Sequence, residues 1–139
     1  MEFIVCSREQ AKKLSYKLCD PTLIVSITDP DKSPNQFANN SCIRAVCRVS
    51  FDDILAYEEG NGLIAMRPSD AKKIRECVDR YMKEVRCILV HCEAGVSRSA
   101  GIMAAIQKYI IGSDNVIFDS PQYRPNIHCY RTMMNEFFS

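Results

Sequence analysis

The sequence predicts a single three-layer α/β domain over residues 1–139, with a mainly parallel central sheet flanked by helices. Apolar, β-branched runs alternate along the chain with segments of helical periodicity, the order that builds parallel sheets. Several of these runs are continuously apolar, as expected for strands buried on both faces. The length suits one domain, and an apolar content of 47% is enough to bury a core.

The first half of the chain is predicted to contain three strands and one helix. Residues 2–7 form a short edge strand, after which Ser7 begins a helix and Gln10 completes a capping box. Apolar residues continue the helical spacing to Leu18. Two further apolar runs predict strands over residues 22–28 and 42–51. The polar segment between them, residues 29–41, predicts a loop.

The second half is predicted to contain one more strand and two or three helices. Residues 52–68 are ambiguous, with a helical turn, a Gly-Asn-Gly turn and a short apolar piece. Ser69 is expected to cap a helix whose apolar positions continue to Val85. A buried strand then follows over residues 87–91, and Gly112 ends a helix over residues 99–111. Residues 114–125 form a loop with a short strand, and Asn126 caps a last helix over residues 127–138.

Charge and composition argue against several functional classes. The net charge is +1, whereas nucleic-acid-binding proteins are usually basic, so no nucleic-acid partner is favoured. No apolar run reaches the roughly 18 residues of a membrane span, and the N-terminal residues do not resemble a signal peptide. We therefore expect a cytoplasmic protein whose eight cysteines are mostly reduced thiols. With no CxxC pair and two histidines, we expect no metal and no other cofactor.

The segment 88–101, ILVHCEAGVSRSAG, places a cysteine and an arginine between a predicted strand and a predicted helix. Their spacing alone carries no information, because the strand 42–51 contains the same spacing without any glycine. Cys92 and Arg98 differ because they flank a short loop that contains Gly95, which can adopt conformations closed to other residues. The setting of the pair, rather than its spacing, therefore indicates a function.

Such a loop can bind an anion, because successive backbone N–H groups can point inward and the following helix adds the positive end of its dipole. Arg98 can hold two phosphate oxygens with parallel hydrogen bonds. The same dipoles stabilise a thiolate at Cys92, which would then face the phosphorus as a nucleophile. The expected phosphate-binding residues are Glu93, Ala94, Gly95, Val96, Ser97 and Arg98.

Two neighbours of this loop have supporting roles in the prediction. Ser99 could hydrogen-bond the sulfur of Cys92 and help it leave in a second step. His91 would brace the loop from beneath, and an ordinary buried histidine with satisfied hydrogen bonds is an equally good interpretation.

The pattern His-Cys-x-x-Gly-x-x-Arg-Ser, on a strand, loop and helix, resembles the signature of the cysteine-dependent protein tyrosine phosphatases. HCEAGVSRS is most similar to the dual-specificity branch, whose loop reads His-Cys-x-Ala-Gly-x-Ser-Arg-Ser. The resemblance implies a protein tyrosine phosphatase-like fold and a phosphocysteine intermediate on Cys92. It also implies phosphate binding by Arg98 and the loop amides, without a metal.

In that family a general acid lies on a loop upstream of the signature, and RVSFDDI occupies this place. Asp53 is the expected acid because an apolar residue lies two positions before it, and Asp52 is its direct competitor. A helix cap formed by this pair is the alternative. Asp29, which precedes a proline, is interpreted as a turn residue. Asn126 resembles the asparagine before the last helix of the family and is expected to brace the active-site loops or to cap that helix.

These features predict a monomeric phosphatase that acts on phosphotyrosine in proteins, with phosphoserine and phosphothreonine as an open extension. Its partner would be a phosphorylated protein or peptide, with no membrane involved. One alternative keeps the chemistry and changes the substrate to RNA 5′-phosphate ends, nucleotides or phosphoinositides. Others are a non-catalytic phospho-binding module, sulfur transfer and arsenate reduction.

Overall fold

Four strands form one parallel sheet, in the order β1-β4-β2-β3. The structure, a computed structural model, describes all residues 1–139. The strands are β1 (Glu2–Ser7), β2 (Thr22–Thr28), β3 (Ile43–Ser50) and β4 (Cys87–Cys92). The helices are α1 (Arg8–Ser15), α2 (Pro68–Tyr81), α3 (Arg98–Ile111), α4 (Asn115–Phe118) and α5 (Ile127–Phe137), with a 3₁₀ turn at Ala56–Glu58. The predicted α/β class is confirmed, and the sheet is parallel throughout.

Helices cover both faces of the sheet. Successive residues of a strand point to opposite faces, so Leu23 and Val25 of β2 join the larger core with α2, α3 and α5. Ile24 instead packs with Ala11 of α1 on the other face. The central strands β2 and β4 are buried along their whole length, which explains their continuously apolar sequences. None of the helices is both long and apolar enough to cross a membrane.

Several helix ends lie where the sequence predicts them. The Ser7 hydroxyl accepts the Gln10 N–H at 3.1 Å, and the Gln10 side chain accepts the Ser7 N–H at 2.9 Å, which completes the capping box of α1. Asn126 accepts the N–H of Cys129 at 3.0 Å and caps α5. Gly112 ends α3 with a φ of 76°, the left-handed conformation that favours glycine.

Two helices are shorter than their apolar patterns predict. α1 ends at Ser15 rather than near Leu18, because the Asn40 side chain donates to the carbonyl groups of both residues, at 2.9 and 3.0 Å. α2 ends at Tyr81, and Val85 is buried beyond the helix by the turn that leads into β4. For α1, a contact with a distant segment replaces the next helical turn.

The cap predicted at Ser69 and the loop predicted at residues 114–125 are wrong in detail. α2 begins at Pro68, two residues before the start that a cap at Ser69 predicts, because the Asp70 carboxylate accepts the Arg67 N–H at 2.9 Å and proline suits the first helical position. Within the predicted loop the short helix α4 forms in place of a strand, since its Ile117 is buried in the core beside α3 and α5.

The carboxyl ends of the parallel strands meet at one edge of the sheet. Ser7 at the end of β1 pairs with Cys92 at the end of β4. Asp29 follows β2, and Asp53 lies three residues beyond β3. Ligands of α/β sheets bind in the crevice at this edge, so the topology brings the candidate residues of three separate loops together.

Candidate active site

Cys92 is the last residue of β4, and its side chain is almost fully buried. Its sulfur accepts the Gly95 N–H at 3.3 Å and lies 3.0 Å from the Ser99 hydroxyl oxygen. When the sulfur is a thiolate, the hydroxyl also donates to it. Two donors, one from the loop and one from the first turn of α3, therefore meet at this sulfur.

Gly95 is the position at which the loop can accept no side chain. Its φ is 74°, and a Cβ there would lie 2.3 Å from the carbonyl carbon of Cys6 and 2.5 Å from the nitrogen of Ser7. Both clashes are with backbone, which cannot turn aside. The loop is therefore pressed against the end of β1, as the glycine in the motif suggests.

The carbonyl groups of the loop are held from outside. Three of them accept backbone hydrogen bonds: Glu93 from Arg8 at 3.2 Å, Val96 from Arg124 at 3.0 Å, and Ser97 from Asn126 at 3.0 Å. The peptides are trans, so the N–H of each following residue points the opposite way. The N–H groups of Ala94, Ser97 and Arg98 therefore point into the loop, where the Gly95 N–H already reaches the sulfur. Together they form a nest of N–H groups at a helix start, an arrangement that can bind an anion.

Arg98 is the first residue of α3, directly after this loop, and its guanidinium is buried. Its Nη1 donates to the carbonyl oxygen of Phe51 at 2.8 Å and to a carboxylate oxygen of Asp29 at 2.7 Å. Its Nε is shielded from solvent and has no hydrogen-bond partner, and Nη2 makes no hydrogen bond to the protein. A buried donor without a partner costs about 1–3 kcal/mol, and phosphate oxygens at Nε and Nη2 would remove that cost.

Asp29 is the site residue that sequence reasoning misses. Its interpretation as a turn residue overlooks the ion pair with Arg98. Its other carboxylate oxygen lies 3.7 Å from Lys32, which in turn contacts the Glu93 carboxylate at 3.1 Å. The only available signal was its position directly after a buried strand, at the edge where ligands bind.

The structure separates the two candidate acids. One carboxylate oxygen of Asp53, Oδ1, accepts the Ser97 hydroxyl and the Asn126 side-chain N–H, both at 2.8 Å, and Oδ2 has no protein partner. Asp52 instead accepts the backbone N–H of Ile64 at 2.8 Å. Asp53 is therefore docked on the loop between β4 and α3, while Asp52 braces the segment that leads to α2. Asn126 both contacts the acid and caps α5, so its two expected roles coexist.

His91 is fully buried beneath the loop. Burial lowers the pKa of its ring, which is therefore neutral. Nδ1 lies 3.1 Å from the Cys92 carbonyl oxygen, and Nε2 lies 2.6 Å from the Ser26 hydroxyl. The arrangement assigns the proton to Nδ1, which donates to the carbonyl, while Nε2 accepts from the serine. His91 thus has satisfied hydrogen bonds and also braces the end of β4.

We expect the free energy of unfolding to decrease as the pH falls below about 6.5, the ordinary pKa of histidine. His91 is neutral in the fold but takes a proton in the unfolded chain, so acid favours unfolding. Urea unfolding between about pH 5 and 7.5 measures this slope. His91→Gln should reduce the slope, and His128→Gln, a change at the other histidine, should keep it. Equal slopes in both variants would contradict the assignment.

The other buried cysteines around the site have raised pKa values. Burial raises the pKa of Cys6 to about 12 and that of Cys87 to about 11, and it raises the pKa of Cys129 further still. These three side chains therefore remain thiols at neutral pH. All eight cysteines are free in the structure.

No protein-family model matches the sequence, and no curated protein matches it. Solved structures do match. Human DUSP28 superposes with a TM-score of 0.66 and 15% identity, covering 97% of this chain and 90% of its own. A human tyrosine phosphatase-like serine/threonine/tyrosine-interacting protein gives 0.60 and 17%, covering 94% and 84%. PTPMT1 in complex with PI(5)P gives 0.57 and 15%, covering 98% and 89%.

At such low identity these similarities establish the fold. They span nearly the whole chain and include the sheet edge that carries Cys92. The chain therefore has the fold of the cysteine-dependent protein tyrosine phosphatases, in the form found in dual-specificity phosphatases.

Proposed function

We propose that this protein is a phosphatase that hydrolyses phosphotyrosine in proteins through a phosphocysteine intermediate on Cys92. One observation carries the proposal. In a fold shared with phosphatases, the strand-end cysteine begins a loop with inward N–H groups, and the loop leads directly to Arg98, whose buried Nε has no hydrogen-bond partner. A nucleophile and the donors that would hold its electrophile therefore share one loop.

In the first step the Cys92 thiolate attacks phosphorus, the sulfur–phosphorus bond forms, and the ester phosphorus–oxygen bond breaks. Arg98 and the loop amides hold the non-bridging oxygens as their charge develops. Asp53 gives its proton to the leaving oxygen. Because its Oδ1 already accepts two donors, the free Oδ2 is the atom that carries this proton.

In the second step water attacks the phosphocysteine. Asp53, now a carboxylate, takes a proton from that water as its oxygen bonds to phosphorus, and the sulfur–phosphorus bond breaks. The Ser99 hydroxyl, 3.0 Å from the sulfur, donates to the departing thiolate. Phosphate leaves, and both Cys92 and the protonated Asp53 are restored.

Asp53→Asn is expected to lower kcat about 100-fold for a phosphotyrosine peptide, whose leaving group needs a proton. With 4-nitrophenyl phosphate, whose leaving group is stable as an anion, the same variant should lose much less. Steady-state kinetics on both substrates measures the difference. Asp52→Asn is the matched control, and a larger leaving-group effect in that variant would transfer the role of the acid to Asp52.

A substrate panel tests the proposal as a whole. Phosphate release is compared for 4-nitrophenyl phosphate, phosphotyrosine, phosphoserine and phosphothreonine peptides, phosphoinositides and RNA 5′ ends. Acid quenching during turnover of a labelled phosphotyrosine peptide should leave phosphate bound covalently to Cys92. Turnover without a trapped adduct would contradict the mechanism. Tight phosphopeptide binding without any turnover would indicate a binding module.

A second substrate class, small molecules with several phosphates, is favoured by a cleft rich in basic residues beside the catalytic loop. PTPMT1, which has this fold, has been solved in complex with the phosphoinositide PI(5)P. Such molecules would use the same chemistry at Cys92 and would differ in what binds outside the catalytic loop.

A further inference from the structure

A cleft of about 1180 Å³ lies on the α1 side of the catalytic loop. α1, residues 33–36, Arg48 of β3 and Glu93 line it, and only one of its 12 lining residues is hydrophobic. We call it the basic cleft, after its cationic residues Arg8, Lys12, Lys13 and Arg48. It adjoins the candidate active site, because Glu93 directly follows Cys92.

The positive charge of the basic cleft is largely uncompensated. Its two carboxylates are already paired, Glu9 with Lys13 at 3.3 Å and Glu93 with Lys32 at 3.1 Å. Three cations of the cleft remain, and none of them forms an ion pair with a carboxylate of the chain. They are Arg8, Lys12 and Arg48. Three cations that share one polar cleft without an ion-pair partner attract anions.

Both arginines are held in place by neutral groups. Arg8 Nη2 donates to the carbonyl oxygen of Ser33, and Arg48 Nη1 donates to that of Asn35, each at 2.8 Å. The two guanidinium groups are therefore anchored two residues apart on one loop while keeping their full charge. Arg8 Nη1 is shielded from solvent and has no hydrogen-bond partner, which leaves a donor for an anionic oxygen.

The basic cleft is tied to the candidate active site through backbone and buried side chains. The Arg8 N–H donates to the carbonyl oxygen of Glu93 at 3.2 Å. The buried Asn35 side chain donates to the carbonyl oxygen of Arg8 at 2.9 Å, and its nitrogen lies 3.5 Å from His91. Ser7, which precedes Arg8, pairs with Cys92 across adjacent strands that lie about 4.8 Å apart. The backbone that carries Arg8 is therefore fixed beside the strand end that carries Cys92.

We propose that the second substrate class named above is a compact molecule phosphorylated at more than one position, and that the basic cleft binds its second phosphate. An inositol bisphosphate, either free or as a lipid head group, is such a molecule. The almost entirely polar lining offers little to an apolar peptide side chain. Its volume lies slightly above the roughly 300–1,000 Å³ of typical small-molecule sites, and arginine is well suited to phosphate. The inference rests on the proposed phosphatase activity for turnover, but binding of the second phosphate does not depend on it.

The test compares kcat/KM for an inositol bisphosphate with kcat/KM for the matching monophosphate. Arg48→Gln is expected to lower this ratio about tenfold, the effect of losing one charge-assisted hydrogen bond. Arg8→Gln should also lower the ratio. If Arg8→Gln fails to fold, Arg48→Gln still tests the proposal, because the Arg48 side chain is exposed. Lys83→Gln, which removes one exposed positive charge outside the cleft, should leave the ratio unchanged.

Calorimetric binding to the Cys92→Ser variant separates this inference from the proposed activity. Inositol bisphosphate should bind it, and adding Arg48→Gln should weaken that binding about tenfold even if no substrate is turned over. Phosphatidylcholine vesicles with and without phosphatidylinositol bisphosphate distinguish a lipid head group from the free compound. An unchanged ratio and affinity in both arginine variants would overturn the proposal. So would an effect confined to doubly phosphorylated peptides, which would give the cleft a different occupant.

Discussion

Cys92→Ser is expected to abolish turnover of every phosphate monoester, by about 10⁴-fold or more, the order seen when a nucleophile is removed from a catalytic unit. A serine hydroxyl is a far weaker nucleophile than a thiolate, and nothing near it acts as its base, because His91 is turned to Ser26 and the Cys92 carbonyl. Initial rates with 4-nitrophenyl phosphate and a phosphotyrosine peptide measure the loss.

The same variant should still bind substrate, because the backbone nest and Arg98 remain. Calorimetry measures the affinity of this variant for a phosphotyrosine peptide. We expect this affinity to equal or exceed the affinity of the wild-type protein for inorganic phosphate. Cys19→Ser, at an exposed cysteine away from the site, should keep full activity. Near-normal turnover by Cys92→Ser would exclude a covalent mechanism at this residue.

Arg98→Lys is expected to lower kcat/KM about 1000-fold although it keeps the charge, at the upper end of what one lost oxyanion donor costs. The guanidinium uses Nη1 for Phe51 and Asp29 and keeps Nε and Nη2 for the substrate. An ammonium group has three donors at one point and cannot serve both edges. Kinetics with 4-nitrophenyl phosphate measures the loss, and Arg80→Lys on α2 is the matched control.

Asp29→Asn tests the other half of this arrangement. It keeps an acceptor for Nη1 but loses the charge that holds the guanidinium, so we expect a smaller loss of about tenfold in kcat/KM. The Arg98→Lys prediction fails if the lysine variant retains most of its activity. A loss in Asp29→Asn as large as that in Arg98→Lys would mean that the carboxylate does more than position the arginine.

The parts of the site that could be predicted from sequence are those that are contiguous in sequence. A strand, a glycine-bearing loop and a helix start lie within residues 87–111, and their geometry follows from local conformation. Asp53 was a harder prediction, because only the path of the chain after β3 brings it to Ser97. The choice over Asp52 depends on which side chain turns away to Ile64, a contact that no local pattern encodes.

The contact between Asp29 and Arg98 could not be read from the sequence, because it joins residues 69 positions apart through the order of the strands. The basic cleft was equally hidden, since a net charge of +1 says nothing about where unpaired cations gather. The shortened ends of α1 and α2 have the same origin. The end of α1 depends on Asn40, a distant residue that competes with the next turn of helix, and the end of α2 depends on the turn that leads into β4.

The docking of Asp53 on Ser97 and Asn126 has a consequence for timing. Many enzymes complete their catalytic group by closing a loop over the substrate, and that motion then limits the rate. Here the fold's own hydroxyl and amide groups hold the acid against the loop that carries Cys92. In the proposed mechanism the proton donor is thus part of the resting architecture, so each catalytic cycle would begin with chemistry rather than with a conformational search.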